Sequence, residues 1–209
     1  MPKYHSFFVI IFLASTLVFG QEKNGNSSKK VYHVLFVGNS LTYINNLPEL
    51  VKNQAALRGI SVDYTLLAFP DYAIIDHWKD GKVQKLISSQ NFDFVIIQQG
   101  PSSQNEGREM LLNDGQKYSE LCQLNHAKLC YFMVWPALTY YHTFNKVIGN
   151  YSDAAKKNHA LLLPVGKVWK THFDDTSNFD YYGSDGFHPS LKGSQVAAKI
   201  IVENLFFSK

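Results

Sequence analysis

The chain has 209 residues, of which 45% are hydrophobic and 18% are charged, so it is long and apolar enough to bury a substantial core as one domain. The formal net charge is only +3 and the lysines are scattered along the chain. This distribution excludes the concentrated basic surface that is typical of nucleic-acid-binding proteins.

The first twenty residues differ in character from the rest. Lys3 supplies a positive charge, residues 7–19 are almost wholly apolar, and Val18-Phe19-Gly20 fits the usual cleavage positions. This pattern predicts a signal peptide over residues 1–20, cut after its last residue, and a secreted or periplasmic protein without stable membrane insertion after cleavage. An uncleaved anchor is the alternative, but the apolar run is shorter than the ~20 residues of a spanning helix. The polar residues 21–30 predict a disordered leader.

From residue 31 onward, apolar and β-branched runs alternate with stretches of helical spacing. Near-continuous apolar strands that alternate with helices are typical of a parallel sheet covered on both faces. Residues 31–209 are therefore predicted to form a single α/β domain. The predicted strands are 32–37, 62–68, 92–97, 129–135 and 161–165, and the predicted helices are 47–57, about 76–88, 106–124, 151–161 and 189–207.

Such a sheet places its ligand crevice outside the carboxyl ends of its strands. Polar or aromatic segments follow the first four predicted strands, namely GNSLTY, FPDYA, QQGPSS and PALTYYH, and SDGFHPS precedes the last helix. We expect these segments to converge at one edge of the sheet.

Ser40 directly follows the first strand at a Gly-Asn turn. Its Oγ is expected to project into the crevice, where the local backbone dipole favours a developing negative charge. An isolated Gly-Asn-Ser is more often the N-cap of a helix. Asp185 and His188 change that balance, because a serine nucleophile needs a general base and the base needs a partner that holds its tautomer. Alone, the segment that holds these two residues could equally be a capped helix entrance.

Together the two segments resemble the SGNH (GDSL-like) hydrolases. The first block of that family, most often Gly-Asp-Ser, corresponds to Gly38-Asn39-Ser40-Leu41, and its last block corresponds to Asp185-Gly186-Phe187-His188-Pro189. The resemblance spans residues 31–207. It implies a flavodoxin-like, three-layer α/β/α sandwich with a five-stranded parallel sheet, and ester hydrolysis through Ser40, His188 and Asp185.

The middle of the chain departs from the family pattern in the segments that supply hydrogen-bond donors to the oxyanion. The second block of the family provides a glycine N–H, but AFPDYAIIDHW contains no glycine, so we expect Asp71 or Tyr72 to donate besides Ser40. The third block carries an asparagine where this chain has Ser102. Some branches of the superfamily have a glutamine at the end of the third strand, so Gln98 or Gln99 could supply the amide. Strand-end position favours Gln98.

Further side chains are candidates for substrate contact. A histidine beside a tryptophan is more often packed than functional, and aromatic residues after a strand can stack on a sugar or aryl group or close the core. The candidates are His77, Trp135, Tyr140 and Tyr141. The remaining histidines lack ligand-like spacing, so no metal or cofactor is predicted. Cys122 and Cys130 could form a disulfide or remain structural thiols.

The predicted function is an exported serine esterase that removes short acyl groups, such as acetate, from a small-molecule or glycan ester. One alternative is a lipolytic or aryl esterase, which needs a longer apolar pocket. Another is a catalytically silent glycan-binding domain on the same fold, although the presence of Ser40, Asp185 and His188 together argues against it.

Overall fold

The protein is described by a computed structural model that covers residues 1–3 and 30–208. The predicted signal peptide and leader fall almost entirely on residues 4–29 and therefore lie outside the described residues. Within 30–208, five parallel strands form one sheet in the order β2-β1-β3-β4-β5. The strands are β1 Val31–Gly38, β2 Ser61–Ala68, β3 Phe94–Ile97, β4 Lys128–Phe132 and β5 Leu161–Leu163.

Helices connect the strands and cover the sheet. A π-helical turn at Met110–Asp114 joins two of them, and 3₁₀ segments lie at Ile44–Asn46 and Leu138–Thr143. The helices are α1 Ser40–Tyr43, α2 Leu47–Ala56, α3 Ile74–Lys79, α4 Lys82–Ser89, α5 Asn105–Glu109, α6 Gly115–Leu124, α7 Phe144–Lys157, α8 Val165–Thr176 and α9 Leu191–Phe206.

The central strands are buried on both faces. Consecutive side chains of a strand point to opposite faces, and residues 34–37 of β1 are all 0% exposed while residues 95–97 of β3 are at most 1% exposed. Helices must therefore cover both sides of the sheet. This arrangement confirms the predicted three-layer α/β/α sandwich with a five-stranded parallel sheet.

Several predicted element bounds were wrong. The predicted helix 76–88 is two helices, because Gly81 between them adopts a φ of 73°. The predicted helix 151–161 is α7, whose buried face starts at Phe144. The sequence did not predict α8, in which Val165, Trp169 and Phe173 recur every four residues and are buried. The fourth strand ends at Phe132, so the residues that follow it enter the crevice loop.

Both cysteines are buried free thiols, Cys122 on α6 and Cys130 on β4. Of the two alternatives left open by the sequence, the structure has the unbridged one. Burial raises the pKa of the Cys122 thiol to about 12, so this thiol stays protonated near neutral pH. Across residues 1–3 and 30–208, none of the helices has the length and apolarity to cross a membrane.

Candidate active site

Ser40 is the first residue of α1 and directly follows the turn at the end of β1. A side chain on Gly38 would come within 2.2 Å of the Thr42 hydroxyl, so this position requires glycine. The N-cap of α1 is Asn39, whose Oδ1 accepts the Leu41 N–H at 3.1 Å. Ser40 is therefore not the capping serine that an isolated Gly-Asn-Ser suggests, and its Oγ is available for other contacts.

Ser40, His188 and Asp185 form a continuous hydrogen-bonded chain. The Oγ of Ser40 lies 3.0 Å from Nε2 of His188, and Nδ1 of His188 lies 2.6 Å from Oδ2 of Asp185. The other carboxylate oxygen, Oδ1, accepts the backbone N–H groups of Phe187 and His188, both at 2.9 Å. Asp185 thus fixes the loop and the imidazole ring at the same time.

The hydrogen bond from His188 is the main reason that the pKa of the Asp185 carboxyl falls to about 2 from its ordinary 3.8, and the Phe187 N–H adds to this effect. A carboxylate that stays ionised is the partner that holds a proton on the Nδ1 atom of His188. The Nε2 atom is then free to accept a proton from Ser40.

Two hydrogen bonds join the loop that carries His188 to the segment after β4. The indole N–H of Trp135 donates to the carbonyl of Phe187 at 2.9 Å, and the Leu138 N–H donates to the carbonyl of Gly186 at 2.7 Å. Trp135 itself stacks on Trp169 of α8, with ring centroids 3.6 Å apart. The predicted substrate residue Trp135 therefore has a clear structural contact that positions the histidine loop.

Gln98 lies against the turn that carries Ser40. Its side chain is 0% exposed, and its Oε1 accepts the backbone N–H of Asn39 at 3.0 Å and the hydroxyl of Thr42 at 3.1 Å. Because both partners are donors to the oxygen, the orientation of the amide is fixed. Its Nε2 donates no hydrogen bond within residues 30–208, so it is available as a donor.

Gln99 points elsewhere. Its Oε1 accepts the backbone N–H of Ile74 at the start of α3, and its own backbone is hydrogen-bonded to the Tyr151 hydroxyl. Adjacent residues at the end of a strand project to opposite faces, and the structure places Gln98 rather than Gln99 on the side of Ser40. Ser102 is buried at 4% exposure and lines the cavity described below.

The loop after β2 provides one open backbone donor. Asp71 adopts a φ of 59°, the left-handed conformation that glycine adopts most readily and that Asp tolerates. The Tyr72 N–H donates to the Phe69 carbonyl at 3.4 Å, whereas the Asp71 N–H has no hydrogen-bond partner in the part of the chain that the structure describes. The Tyr72 carbonyl in turn accepts the Asn39 side-chain amide at 3.1 Å.

No protein-family model matches the sequence, and a search of curated proteins finds no match either. Comparison with solved structures, in contrast, finds 46 similar chains. A candidate SGNH hydrolase from Slackia heliotrinireducens has a TM-score of 0.71 and 23% identity, over 84% of this chain and 100% of its own. A variant of an acetyl xylan esterase from Geobacillus stearothermophilus has a TM-score of 0.65 and 13% identity, over 85% of this chain and 96% of its own.

A lipase/acylhydrolase from Enterococcus faecalis is similar to the same extent, with a TM-score of 0.65 and 15% identity over 83% of this chain and 95% of its own. The chain has the SGNH hydrolase fold. The fold that the two terminal motifs implied is thereby confirmed, and the Ser40 turn and the His188 loop occupy the carboxyl edge of its sheet.

A cavity of about 650 Å³ opens beside Ser40 at this edge of the SGNH sheet. Its buried lining is mainly apolar, whereas its exposed lining is polar or aromatic apart from Pro101. The buried members are Asn39, Leu41, Ser102, Val134, Trp135, Pro136 and Val147, and the exposed members include Asp71, Gln104, Tyr140, Lys146 and Phe187. The polar segments that follow the strands thus surround an apolar interior. The sequence predicted the polar border of this cavity but not its apolar interior.

Two of the predicted substrate residues do not line this cavity. His77 is 1% exposed and lies against the turn that precedes Ser40, where its Nε2 is 2.8 Å from the Gly38 carbonyl oxygen. Burial lowers the pKa of His77 below its ordinary 6.5, because the charged ring would lose its hydration. Tyr141 donates its hydroxyl to Asp174 at 2.6 Å. Tyr140, at 61% exposure, is the predicted tyrosine that reaches the cavity.

Sequence reasoning missed Phe187 and Lys146 as cavity residues. Phe187 lies inside the Asp-x-x-His block, so its position beside His188 was a usable signal, whereas Lys146 on α7 carries no local signal. Among residues 1–3 and 30–208, the structure contains no group of three or more His, Cys, Asp or Glu side chains that could hold a metal ion.

Proposed function

We propose that this protein is a serine hydrolase of carboxylic esters, with Ser40 as nucleophile, His188 as general base and Asp185 as the carboxylate that orients the base. The observation that carries the proposal is the chain of hydrogen bonds at 3.0 Å from Ser40 to His188 and at 2.6 Å from His188 to Asp185. Both distances are within the reach that proton transfer requires.

In the proposed reaction, Ser40 Oγ attacks the ester carbonyl carbon while Nε2 of His188 takes the hydroxyl proton. The carbonyl oxygen becomes an oxyanion, and the C–O bond to the alcohol then breaks as His188 returns the proton to the leaving alcohol. Water, deprotonated by the same nitrogen, then attacks the acyl carbon. The bond from that carbon to Ser40 Oγ breaks, His188 returns the proton to Oγ, and the carboxylic acid leaves the free enzyme. Asp185 stays ionised throughout and stabilises the imidazolium.

Three donors are proposed for the oxyanion. The first is the backbone N–H of Ser40. Ser40 is the first residue of α1, where a backbone N–H has no partner within its own helix. The Asp71 N–H is open on the loop after β2, in a backbone conformation that replaces the glycine of the second family block. The Nε2 of Gln98 supplies the amide in place of the third-block asparagine.

The proposed substrate carries a short acyl group, such as acetate, on a carbohydrate or a similar polar alcohol. The fold similarity to an acetyl xylan esterase supports this choice. An acetyl group fills only a small part of a cavity of about 650 Å³, so in this hypothesis the cavity holds the alcohol part of the ester. Tyr140 and Phe187 at its exposed side offer aromatic faces on which a sugar ring can stack.

A second candidate function is a lipolytic or aryl esterase. One specific observation favours it, namely the apolar interior formed by Leu41, Val134 and Val147, all at most 2% exposed. In that case the cavity holds the acyl chain, and each buried methylene contributes about 0.8 kcal/mol to transition-state binding.

The decisive experiment measures ester hydrolysis by the wild type and by Ser40→Ala, with acyl chains of increasing length and with acetylated glycans. The variant is expected to lose turnover by about 10⁶-fold, as for removal of a triad nucleophile, with an unchanged melting temperature. Ser103→Ala, which changes another cavity serine, is the matched control and should stay active. Binding of acetylated glycans by a wild type that hydrolyses no ester would instead support the silent glycan-binding domain.

We further propose that the protein is exported, on the basis of the apolar segment within residues 1–20. N-terminal sequencing of the protein from the periplasm or medium should begin at Gln21. A full-length protein that is retained in the membrane fraction would contradict the proposal.

A further inference from the structure

Asn45 joins the segment that carries Ser40 to the loop that carries His188. Its Nδ2 donates to the carbonyl of Pro189 at 3.0 Å and to the Oγ of Ser194 at 3.0 Å, across 144 and 149 residues of sequence. Within residues 30–208, the only other hydrogen bond between segments 39–46 and 183–194 is the one from Ser40 to His188 itself. Apart from the Ser40–His188 bond itself, the hydrogen bonds between the two halves of the candidate triad in the described chain therefore all come from Asn45.

The local backbone at Asn45 is unusual. Asn45 has a φ of 54° and ψ of 18° inside the 3₁₀ segment between α1 and α2, and its neighbour Asn46 also has a positive φ, of 53°. Asparagine is one of the few residues besides glycine that adopt this conformation at low cost. The Pro189 carbonyl has no other hydrogen-bond donor in the described chain. Loss of the Asn45 amide would leave this carbonyl unsatisfied.

The contact between Ser40 and His188 needs such support. The His188 side chain is 33% exposed and Ser40 is partly exposed, so packing alone does not lock either group. Proton transfer requires a donor–acceptor distance of about 2.6–3.2 Å, and an error of about 1 Å in placement can lower the rate by about 10²-fold. Trp135 and Leu138 hold the histidine loop to the segment after β4, but they do not hold it to the serine.

We propose that Asn45 is a positioning residue that sets the distance between Ser40 Oγ and His188 Nε2. The catalytic consequence rests on the proposed esterase function, whereas the geometric consequence does not. Asn45 touches neither the substrate nor the reacting atoms, so its removal should change turnover and leave the binding of substrate in the cavity almost unaffected.

The test compares Asn45→Gly with Asn46→Gly. Glycine adopts a positive φ freely, so neither substitution strains the backbone, and only the first removes the bonds to Pro189 and Ser194. We expect kcat of Asn45→Gly to fall by about 10- to 100-fold with KM within about twofold of the wild type. Asn46→Gly should keep the wild-type kcat. Equal kcat values in the two variants, with both folded, would overturn the proposal.

A crystal structure of each variant separates this proposal from the proposed function. In Asn45→Gly the Ser40–His188 distance should lengthen beyond hydrogen-bond range, whether or not the wild type cleaves any ester tested, and an unchanged distance would overturn the inference. If Asn45→Gly does not fold, Asn45→Asp serves instead, because it keeps the size and backbone tolerance of Asn45 but presents an oxygen to the Pro189 carbonyl. It should show the same loss of kcat and the same lengthened distance.

Discussion

The Oε1 atom of Gln98 lies 3.0 Å from the backbone nitrogen of Asn39, directly before Ser40. The amide at the end of β3 is therefore bound to the turn at the end of β1, and its second atom, Nε2, is buried beside that turn without a partner among residues 30–208. A buried N–H donor that makes no hydrogen bond costs about 1–3 kcal/mol. In the proposed mechanism this donor is satisfied when the oxyanion forms.

Gln98→Ala is accordingly expected to lower kcat by about 10²–10³-fold with little change in KM, because an oxyanion donor acts mainly in the transition state. Ser102→Ala should lower kcat only slightly. Thr42→Val is the control for the structural part of the role, since it removes one bond to Oε1 and leaves Nε2 in place. Steady-state kinetics of the three variants measures this difference. If kcat falls as much in Thr42→Val as in Gln98→Ala, Gln98 only stabilises the turn before Ser40 and does not bind the oxyanion.

Asp185→Asn should keep the fold and lower kcat by about 10⁴-fold, as the matching substitution does in another Ser-His-Asp triad. An asparagine that still accepts from Phe187 and His188 through Oδ1 would turn its NH₂ group toward Nδ1 of His188. The imidazole would then carry its proton on Nε2 and could not take the proton of Ser40. The exposed Asp175→Asn is the control for the charge change.

The pH dependence of the same pair follows from the pKa of Asp185. Its carboxyl has a pKa of about 2 in the folded protein against an ordinary 3.8, so its contribution to stability is complete above 3.8 and is lost as the pH falls toward 2. Loss of activity on acidification above pH 3.8 should therefore not arise from protonation of Asp185. A pH–rate profile recorded together with the unfolding free energy tests this, and a loss of both activity and stability well above pH 3.8 that is absent in Asp185→Asn would contradict it.

His77 predicts a different pH effect, on stability. Burial lowers its pKa below the ordinary 6.5, so the unfolded chain binds the proton more readily than the folded one. The stabilising contribution of neutral His77 is present above pH 6.5 and decreases as the pH falls from there. In His77→Phe, which cannot titrate or donate to Gly38, the unfolding free energy should be lower at pH 7 by about 1 kcal/mol. This deficit should shrink by pH 5.

Chemical denaturation at both pH values measures that effect, with His142→Phe as the control because His142 is exposed and makes no hydrogen bond to Gly38. A deficit of His77→Phe that is the same at pH 7 and pH 5 would mean that His77 is not kept neutral by the fold.

The sequence was sufficient to predict the sheet and the meeting of Ser40 with Asp185 and His188, for two different reasons. Parallel strands share one carboxyl edge, so Ser40 and the other residues that follow strands converge there irrespective of their separation in sequence. Asp185 and His188 follow α8 rather than a strand, and they were identified because a serine nucleophile needs a base and the base needs a carboxylate. The turn at Gly38 and Asn39 could also be predicted, because it depends only on adjacent residues. The sequence also carried a signal for α8, since Val165, Trp169 and Phe173 have helical spacing. That signal was missed because Val165 was assigned to the end of the preceding strand.

Long-range contacts were not readable in the same way. Nothing near Asn45 indicates a partner 144 residues away. The neighbouring Trp78 favoured a packed His77, but nothing near His77 identifies Gly38 as its partner. The loop after β2 needs a left-handed backbone conformation rather than a glycine. Asp71 adopts that conformation, so the absence of glycine from this segment was misleading. The apolar cavity was also missed, since its buried walls come from several segments whose exposed residues are mostly polar or aromatic.

The cavity provides the last prediction, which separates the two substrate classes. Ala137 lines it and is only partly buried, so Ala137→Phe should fill part of the space beside Ser40 without disturbing the core. If the cavity holds the alcohol part of an acetyl ester, kcat/KM should fall by about 10-fold or more for acetylated sugars and stay unchanged for ethyl acetate, whose alcohol is small. If the cavity holds the acyl chain, kcat/KM should fall for octanoyl esters and stay unchanged for acetyl esters.

Ala56→Phe, on the exposed face of α2, is the matched control. An equal loss for every ester would show that the substitution disturbs Ser40 or His188, and would exclude this cavity as the determinant of substrate class.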